Sequence, residues 1–281
     1  MWNDFESGSP STEQAGGETL TVDQAIANLR HPDLSLRYYA AWWIGRFRVR
    51  ESAAIDALLD LLNEKGDRTD AGGFPLQRNA ARSLGKVGDE RAIPALIACL
   101  TSPDYYVREA AAEGLERLGD SAAIAPLMEL LAGGVEAAVK VPGKPHLTQP
   151  YDAIIEALGT LQATGAIEVI QPFLEHPFER VQYSAARAMY QLTGEPQYGE
   201  RLVQALSGSD LQLRRSALID LGAIGYLPAA DAIAETLAEN SIKLIALKGL
   251  VEHHLDAPPP DRPPELSPEL IQVLHLMDGL L

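Results

Sequence analysis

The chain has 281 residues, 46% hydrophobic and 22% charged, which is long enough to bury a sizeable core. Its 39 acidic side chains against 23 lysines and arginines give a formal net charge of −16, excluding a nucleic-acid backbone or an anionic membrane as the main partner, since both need a dominant positive field. One cysteine, Cys99, excludes internal disulfides and cysteine-built metal clusters, and no apolar run approaches the roughly 18 residues of a membrane span.

In chain order, residues 1–18 are rich in Ser, Gly and Glu and are predicted to be a disordered tail. The tail lacks the basic and apolar pattern of a secretory signal, so a cytoplasmic location is expected. Thr21 and Gln24 form a capping-box pattern that opens a helix carrying Val22, Ile26 and Leu29. One segment type then recurs seven times: LRYYAAWWIG from Leu36, LQRNAARSLG from Leu76, VREAAAEGLE from Val107, PYDAIIEALG from Pro150, VQYSAARAMY from Val181, LRRSALIDLG from Leu213 and IKLIALKGLV from Ile242. Stretches such as ESAAIDALLDLL, RAIPALIACL and TGAIEVIQPFL alternate with them as first helices, and HPD, SPD and HPF punctuate the array with prolines.

A period of roughly 30 residues with helical patterning predicts an all-α fold: a HEAT-like α-solenoid over residues 19–255, a crescent-shaped right-handed superhelix of about seven helix pairs that works through its concave face. Two connections are long, residues 63–76 and 132–150, and are either walls of a site or tolerated surface loops. Residues 256–281 are predicted to be a proline-rich linker and a short apolar helix opened by Ser267, Pro268 and Glu269. That helix must cover either its own solenoid end or a partner.

Helical geometry assigns the faces. When each second helix is numbered from Arg37 or its counterpart as position 0, positions 3, 4 and 7 share one side and are Ala, Ile, Leu or Met, so they face the core. Positions 2 and 6 are mostly small and suit close stacking of neighbouring second helices. Positions 1, 5 and 9 point away from the core. They carry Tyr38, Trp42 and Arg46, then Arg78, Arg82 and Lys86, then Glu109, Glu113 and Arg117, then Asp152, Glu156 and Thr160. An acidic chain thus gathers aromatics and cations on its first two units and carboxylates on the next two. Arginine forks pair with carboxylates, aromatic faces take a conjugated ligand, and Glu113 or Asp152 could accept from ring N–H groups. The alternative is a solvated face of i,i+4 ion pairs.

Cys99 has the helical spacing of a structural thiol, and His253-His254 is a weak metal signal at a helix end, so no metal is expected. His146, in the second insertion just before Tyr151 and Asp152, is a candidate acid or base. No nucleophile elbow, phosphate loop, zincin or dinucleotide fingerprint occurs.

The segments LSLRYYAAWWIGRFRV, DRTDAGGFPLQRNAARSLGKVGD, KPHLTQPYDAIIEALG and ERVQYSAARAMYQLTG resemble the E subunits of the E/F-type phycobilin lyases of cyanobacteria, from about Leu20 to His254 and through both insertions. The resemblance implies a heterodimer with an F-type subunit, also of HEAT repeats. It further implies covalent attachment of phycocyanobilin, through a thioether, to a cysteine of the phycocyanin alpha subunit in thylakoid-adjacent cytosol during phycobilisome assembly. Nearby alternatives are a phycoerythrocyanin-type lyase-isomerase subunit and a non-catalytic scaffold or chromophore carrier. On this reading the bilin is substrate and no cofactor is permanently bound. Arg37, Arg78 and Arg82 would neighbour its propionates, Tyr38 and Trp42 its π-system, and Asp152 with Tyr151 its ring nitrogens, with Glu113 and His146 beside them.

Overall fold

The computed structural model describes residues 20–70, 72–255 and 266–281. The tail predicted over 1–18 and the prolines of the linker lie outside the described residues. Helices α1 (Val22–Asn28), α2 (Leu34–Phe47), α3 (Ser52–Leu61), α4 (Pro75–Val87), α5 (Ile93–Cys99), α6 (Tyr105–Leu118) and α7 (Ile124–Leu130) form the first half. They are followed by α8 (Gly134–Ala137), α9 (Tyr151–Thr160), α10 (Ile167–Ile170), α11 (Glu179–Thr193), α12 (Pro196–Ala205), α13 (Leu211–Ile224), α14 (Ala230–Glu235), α15 (Asn240–His254) and α16 (Pro268–Asp278). Each of α1, α3, α5, α7, α10, α12 and α14 packs on a second helix, and the second helices α2, α4, α6, α9, α11, α13 and α15 lie side by side in chain order. This is an all-α solenoid.

The faces follow the sequence register. Positions 3, 4 and 7, from Ala40, Ala41 and Ile44 to Ala246, Leu247 and Leu250, are at most 2% exposed in every unit. Asp33, Asp104 and Asp210 start α2, α6 and α13 by accepting from the backbone N–H two residues on, so the aspartates of HPD and SPD are N-caps. Thr21 and Gln24 form the capping box expected at α1.

Position 0 has the same task in every unit except α9, where Tyr151 holds the place. Arg37 Nε donates to the Leu29 carbonyl at 3.1 Å, Gln77 to Glu64 at 2.7 Å, Arg108 to Ser102 at 2.7 Å, Gln182 to His176 at 2.6 Å, Arg214 to Gly208 at 2.6 Å and Lys243 to Ala234 at 2.9 Å. Each closes a carbonyl left over around the end of the preceding first helix, the site where such carbonyls lack helical partners. His253 and His254 do the same for the end of α13, with Nε2 donating to the carbonyls of Ala223 at 2.8 Å and Gly225 at 2.7 Å.

Position 8 against position 6 of the next unit sets how closely second helices approach. A Cβ on Gly45 would meet Ser83 Cα at 2.8 Å, one on Gly85 would meet Gly114 Cα at 2.6 Å, and one on Gly159 would meet Ala188 Cα at 2.6 Å. Likewise a Cβ on Gly249 would meet the Gly222 carbonyl oxygen at 2.6 Å. Only glycine allows that contact. At α6 against α9 and at α11 against α13 the position-8 residue is Glu116 or Tyr190 instead.

The apolar C-terminal helix α16 covers its own solenoid end, with Leu270 and Val273 buried against α14 and α15.

Candidate functional site

Both insertions are fastened to the start of α6. The backbone N–H of Phe74 donates to Asp104 Oδ2 at 2.6 Å, which ties residues 63–76 to that helix's N-cap. Arg108 holds the second insertion, with Nε donating to Gln149 Oε1 at 2.7 Å and Nη2 to the Thr148 carbonyl at 2.9 Å. His146 stacks on Tyr105 with ring centroids 4.2 Å apart and meets Tyr106 edge-on at 5.9 Å, while its Nδ1 faces the Leu147 carbonyl at 2.8 Å. The Arg78 guanidinium lies 5.3 Å over the Tyr106 ring. Tyr105, Tyr106 and His146 therefore make an aromatic wall beside the charged stripe of α4, α6 and α9.

The stripe is an ion lattice. Arg82 reaches Glu109 at 3.3 Å and Glu113 at 3.7 Å, and Arg117 reaches Glu113 at 3.8 Å. Arg180 reaches Asp152 at 3.7 Å, Glu156 at 2.5 Å and Asp220 at 3.1 Å, and also bonds the Ser216 hydroxyl. Arg187 reaches Glu116 at 2.5 Å, Glu156 at 2.9 Å and Asp220 at 3.5 Å. Ser184 donates to Glu156 at 2.6 Å. Glu156, Arg187 and Asp220 are buried, so this is packed electrostatics rather than a solvated row of i,i+4 pairs. Position 5 of α11 thereby spans from Glu116 on α6 to Asp220 on α13, across the two joints that lack the position-8 glycine.

Burial and crowding divide the carboxyls. Burial, with the charges of Asp152 and Glu113 adding to it, pushes Glu109 up to about 7. Burial also raises Glu113 and Asp152, with Arg82 and Arg180 respectively opposing. Burial would raise Glu156 too, but Arg180, Arg187 and the Ser184 hydroxyl outweigh it and hold that carboxyl below its usual range. Asp220 shares the same arginines through longer contacts, and burial keeps it raised, to about 6. Burial also pushes the Cys99 thiol up to about 11, the behaviour of a structural thiol.

The structure redistributes the residues picked out by sequence. Arg78, Arg82, Glu113 and Asp152 are brought together on one face, with His146 in the adjoining wall. Arg37 is taken by the Leu29 carbonyl and by Glu64 at 2.7 Å, because position 0 points along the helix end rather than onto the stripe. Tyr151 is 2% exposed, with its ring 5.5 Å from Phe173 and its hydroxyl 3.3 Å from the Thr148 hydroxyl, so it anchors the insertion in the core instead of facing a ligand. Trp42 is exposed, as its position predicts, and stacks on Tyr39 at 5.6 Å, while Tyr38 is half-buried. Periodicity does not single out Tyr105, Tyr106, Glu116, Arg180 or Asp220. Tyr105 and Arg180 precede position 0 in their helices, and Asp220 occupies a position-6 slot that is small in most other units. An acid in a small-residue slot, facing arginines one unit away, is the readable signal.

A separate depression of about 550 Å³ between α13 and α15 is lined by Ile219, Gly222, Ile245 and Gly249, with Glu252 and His253 at its edge. No group of three or more His, Cys, Asp or Glu that could hold a metal occurs among the described residues. Among them, no helix is long and apolar enough to cross a membrane.

Known proteins place the fold and the family together. Models described as HEAT repeats match residues 74–140 and 151–222, and one described as PBS lyase HEAT-like repeat matches 36–64. The chain is 60% identical to the phycocyanobilin lyase subunit alpha of Nostoc sp. over 97% of its length and 99% of that protein. It is 59% identical to the corresponding subunit of Synechocystis sp. over 93% of its length and 96% of that protein. The bilin biosynthesis protein PecE of Mastigocladus laminosus is 44% identical over 84% of this chain and 83% of that one. A chain in the solved complex of CpcE and CpcF of phycocyanin lyase from Nostoc sp. superposes with a TM-score of 0.88 at 59% identity, covering 98% of this chain and all of that one. With the repeats, both insertions and the lattice-bearing helices inside these matches, this chain belongs to the HEAT-repeat family of phycocyanobilin lyase alpha subunits.

Proposed function

We propose that this chain is one subunit of a heterodimeric bilin lyase that, with an F-type partner, joins phycocyanobilin through a thioether to a cysteine of the phycocyanin alpha subunit. The observation that carries the reading is the 60% identity with a phycocyanobilin lyase subunit alpha across 97% of this chain. The solved CpcE and CpcF complex supports the partner. The lyase-isomerase alternative rests on a relative at 44% identity and has no further observation in its favour.

The inner face suits an open-chain tetrapyrrole with two propionates, pyrrole N–H groups and a long π-system. Arg78 makes no ion pair within 4.0 Å among the described residues and presents its guanidinium beside Tyr106, so it is the cation for a propionate. Arg82 lies one turn further on. Tyr39 with Trp42 at one end, and Tyr105, Tyr106 and His146 in the middle, provide flat faces. Asp152 provides oxygen acceptors for ring N–H groups. The nucleophile belongs to the acceptor protein, in keeping with a Cys99 thiol that burial disfavours as thiolate. The contribution of the lyase is to hold the ring A ethylidene carbon against the incoming sulfur in one orientation. The pigment passes through as substrate, in the cytosol beside the thylakoid, and no resident cofactor is required.

Co-expression of this chain with bilin synthesis, an F-type partner and the acceptor subunit tests the proposal. Zinc-enhanced fluorescence of the acceptor on a denaturing gel is expected only when both lyase subunits are present. No covalent pigment above the partner-free background overturns it, and tight partner binding without pigment affinity would mark a scaffold instead. Asp152→Asn is expected to slow transfer while the helical circular dichroism is retained.

A further inference from the structure

Three carboxyls converge where α4, α6 and α9 meet, and their partners differ. Asp152 on α9 is beside Arg180 of α11 at 3.7 Å. Glu113 on α6 lies between Arg82 at 3.7 Å and Arg117 at 3.8 Å. Glu109, one turn earlier on α6, meets Arg82 of α4 at 3.3 Å, shares that guanidinium with Glu113, and has the negative charges of both Glu113 and Asp152 close by. Arg78 of α4 is the other cation near it, and the Tyr105 phenol, with His146 of the second insertion stacked on its ring, is close enough to feel the Glu109 charge. Its side chain keeps 20% of its surface open, which leaves an exit onto the inner face next to the aromatic wall.

We propose that Glu109 is the proton donor of this site, passing its proton to the imine-type nitrogen of the bound bilin so that the pigment is cationic when the thiol attacks. This rests on the bilin-lyase reading above. In the step, the Glu109 O–H bond breaks and a bilin N–H bond forms, leaving a carboxylate beside Arg82. The cysteine sulfur then bonds the exocyclic ethylidene carbon, and the π pair of that double bond moves into the conjugated system and neutralises the cation. The proton released by the thiol ends on the adjacent ring A carbon, and the nitrogen returns its own proton to Glu109. The sum is addition of S–H across a carbon–carbon double bond, with no oxidant or reductant.

The surroundings suit the task. A carboxyl that titrates at about 7 is half protonated near neutral pH and so serves as both donor and acceptor in one cycle.

The test uses the chain with its F-type partner, the acceptor subunit and phycocyanobilin, comparing wild type with Glu109→Gln and Glu109→Asp. Wild type is expected to show the red-shifted, intensified visible band of a protonated bilin, fading as pH rises through about 7, with the transfer rate falling in parallel. Glu109→Gln, which mimics the protonated carboxyl in size, is expected to bind pigment without that band and to transfer it about a hundredfold more slowly. Glu109→Asp is expected to recover part of the band and the rate. A Glu109→Gln pair with the wild-type spectrum and pH profile overturns the proton-donor assignment and leaves the lyase reading standing. A wild-type pair that binds no pigment overturns both.

Discussion

Two kinds of joint hold the second helices together, and they solve opposite problems. Between α2 and α4, α4 and α6, α9 and α11, and α13 and α15, glycines at position 8 or 6 let backbones touch, and the apolar positions behind them do the rest. Between α6 and α9 and between α11 and α13, the position-8 residue has a side chain; Arg187 of α11 reaches over α9 to Glu116 of α6 and, with Arg180, pairs with Asp220 of α13, and both arginines also hold Glu156 of α9 across the glycine joint between α9 and α11. Apolar close packing is stable but chemically mute. A buried lattice is costly to assemble, because each charge must be taken from water, but it fixes where charge stands on the inner face. The difference teaches that this solenoid gives up uniform packing where charge is oriented, and Asp152, through Arg180, joins the lattice to the stripe that carries the candidate site.

Arg187→Ala should separate the two kinds of joint most strongly. It takes from Glu116 its arginine and leaves Glu156 and Asp220 to share Arg180, and a loss of about 3–5 kcal/mol in urea unfolding is expected, against little change if the lattice were decorative. Gly85→Ala attacks the other kind: the new Cβ would stand 2.6 Å from Gly114 Cα, where backbone must move, and about 3 kcal/mol should be lost. The pH dependence comes next. Glu109 titrates at about 7 in the folded chain against 4.5 ordinarily, so between those values the folded state binds more protons than the unfolded. Stability therefore falls as pH rises through that window, by on the order of 2 kcal/mol, and Glu109→Gln should flatten this slope when urea midpoints at about pH 5 and about pH 7.5 are compared.

Arg37→Ala should cost about 1–2 kcal/mol by orphaning the Leu29 carbonyl and Glu64, yet leave bilin transfer per folded protein unchanged; a selective loss of transfer would return Arg37 to the ligand face. At the small end, Lys248 and Glu252 form an i,i+4 pair at 2.8 Å with side chains 65% and 60% exposed. Lys248→Ala should shift stability by less than about 0.5 kcal/mol, and a larger shift would mean that surface pairs contribute as the buried lattice does.

The fold was legible because helical periodicity fixes facing. Positions 3, 4 and 7 are core in all seven units, and Asp33 and Asp104 cap the helices that HPD and SPD announce. The site was legible in part. Arg78, Arg82, Glu113 and Asp152 share a face because positions 1 and 5 repeat in register from unit to unit. Arg37 and Tyr151 could not be placed by the same rule, since position 0 sits at the border between stripe and helix end, where the nearest unpaired carbonyl or the packing of an insertion decides its direction. Tyr105 and Arg180 lie before the repeating register begins, and their contacts span 41 and up to 40 residues of sequence.

The sequence by itself determined a helix-pair solenoid, its core, its acidic balance and the polarised order of charge along one stripe, because each of these depends on local spacing and composition. Only the tertiary structure decided which charges are neutralised and which stay available: the pairing of Arg187 with three other helices, the joining of both insertions to α6, and the crowding that lifts Glu109. Those outcomes depend on through-space distance and burial, which set the strength of every charge interaction and which a one-dimensional period does not contain.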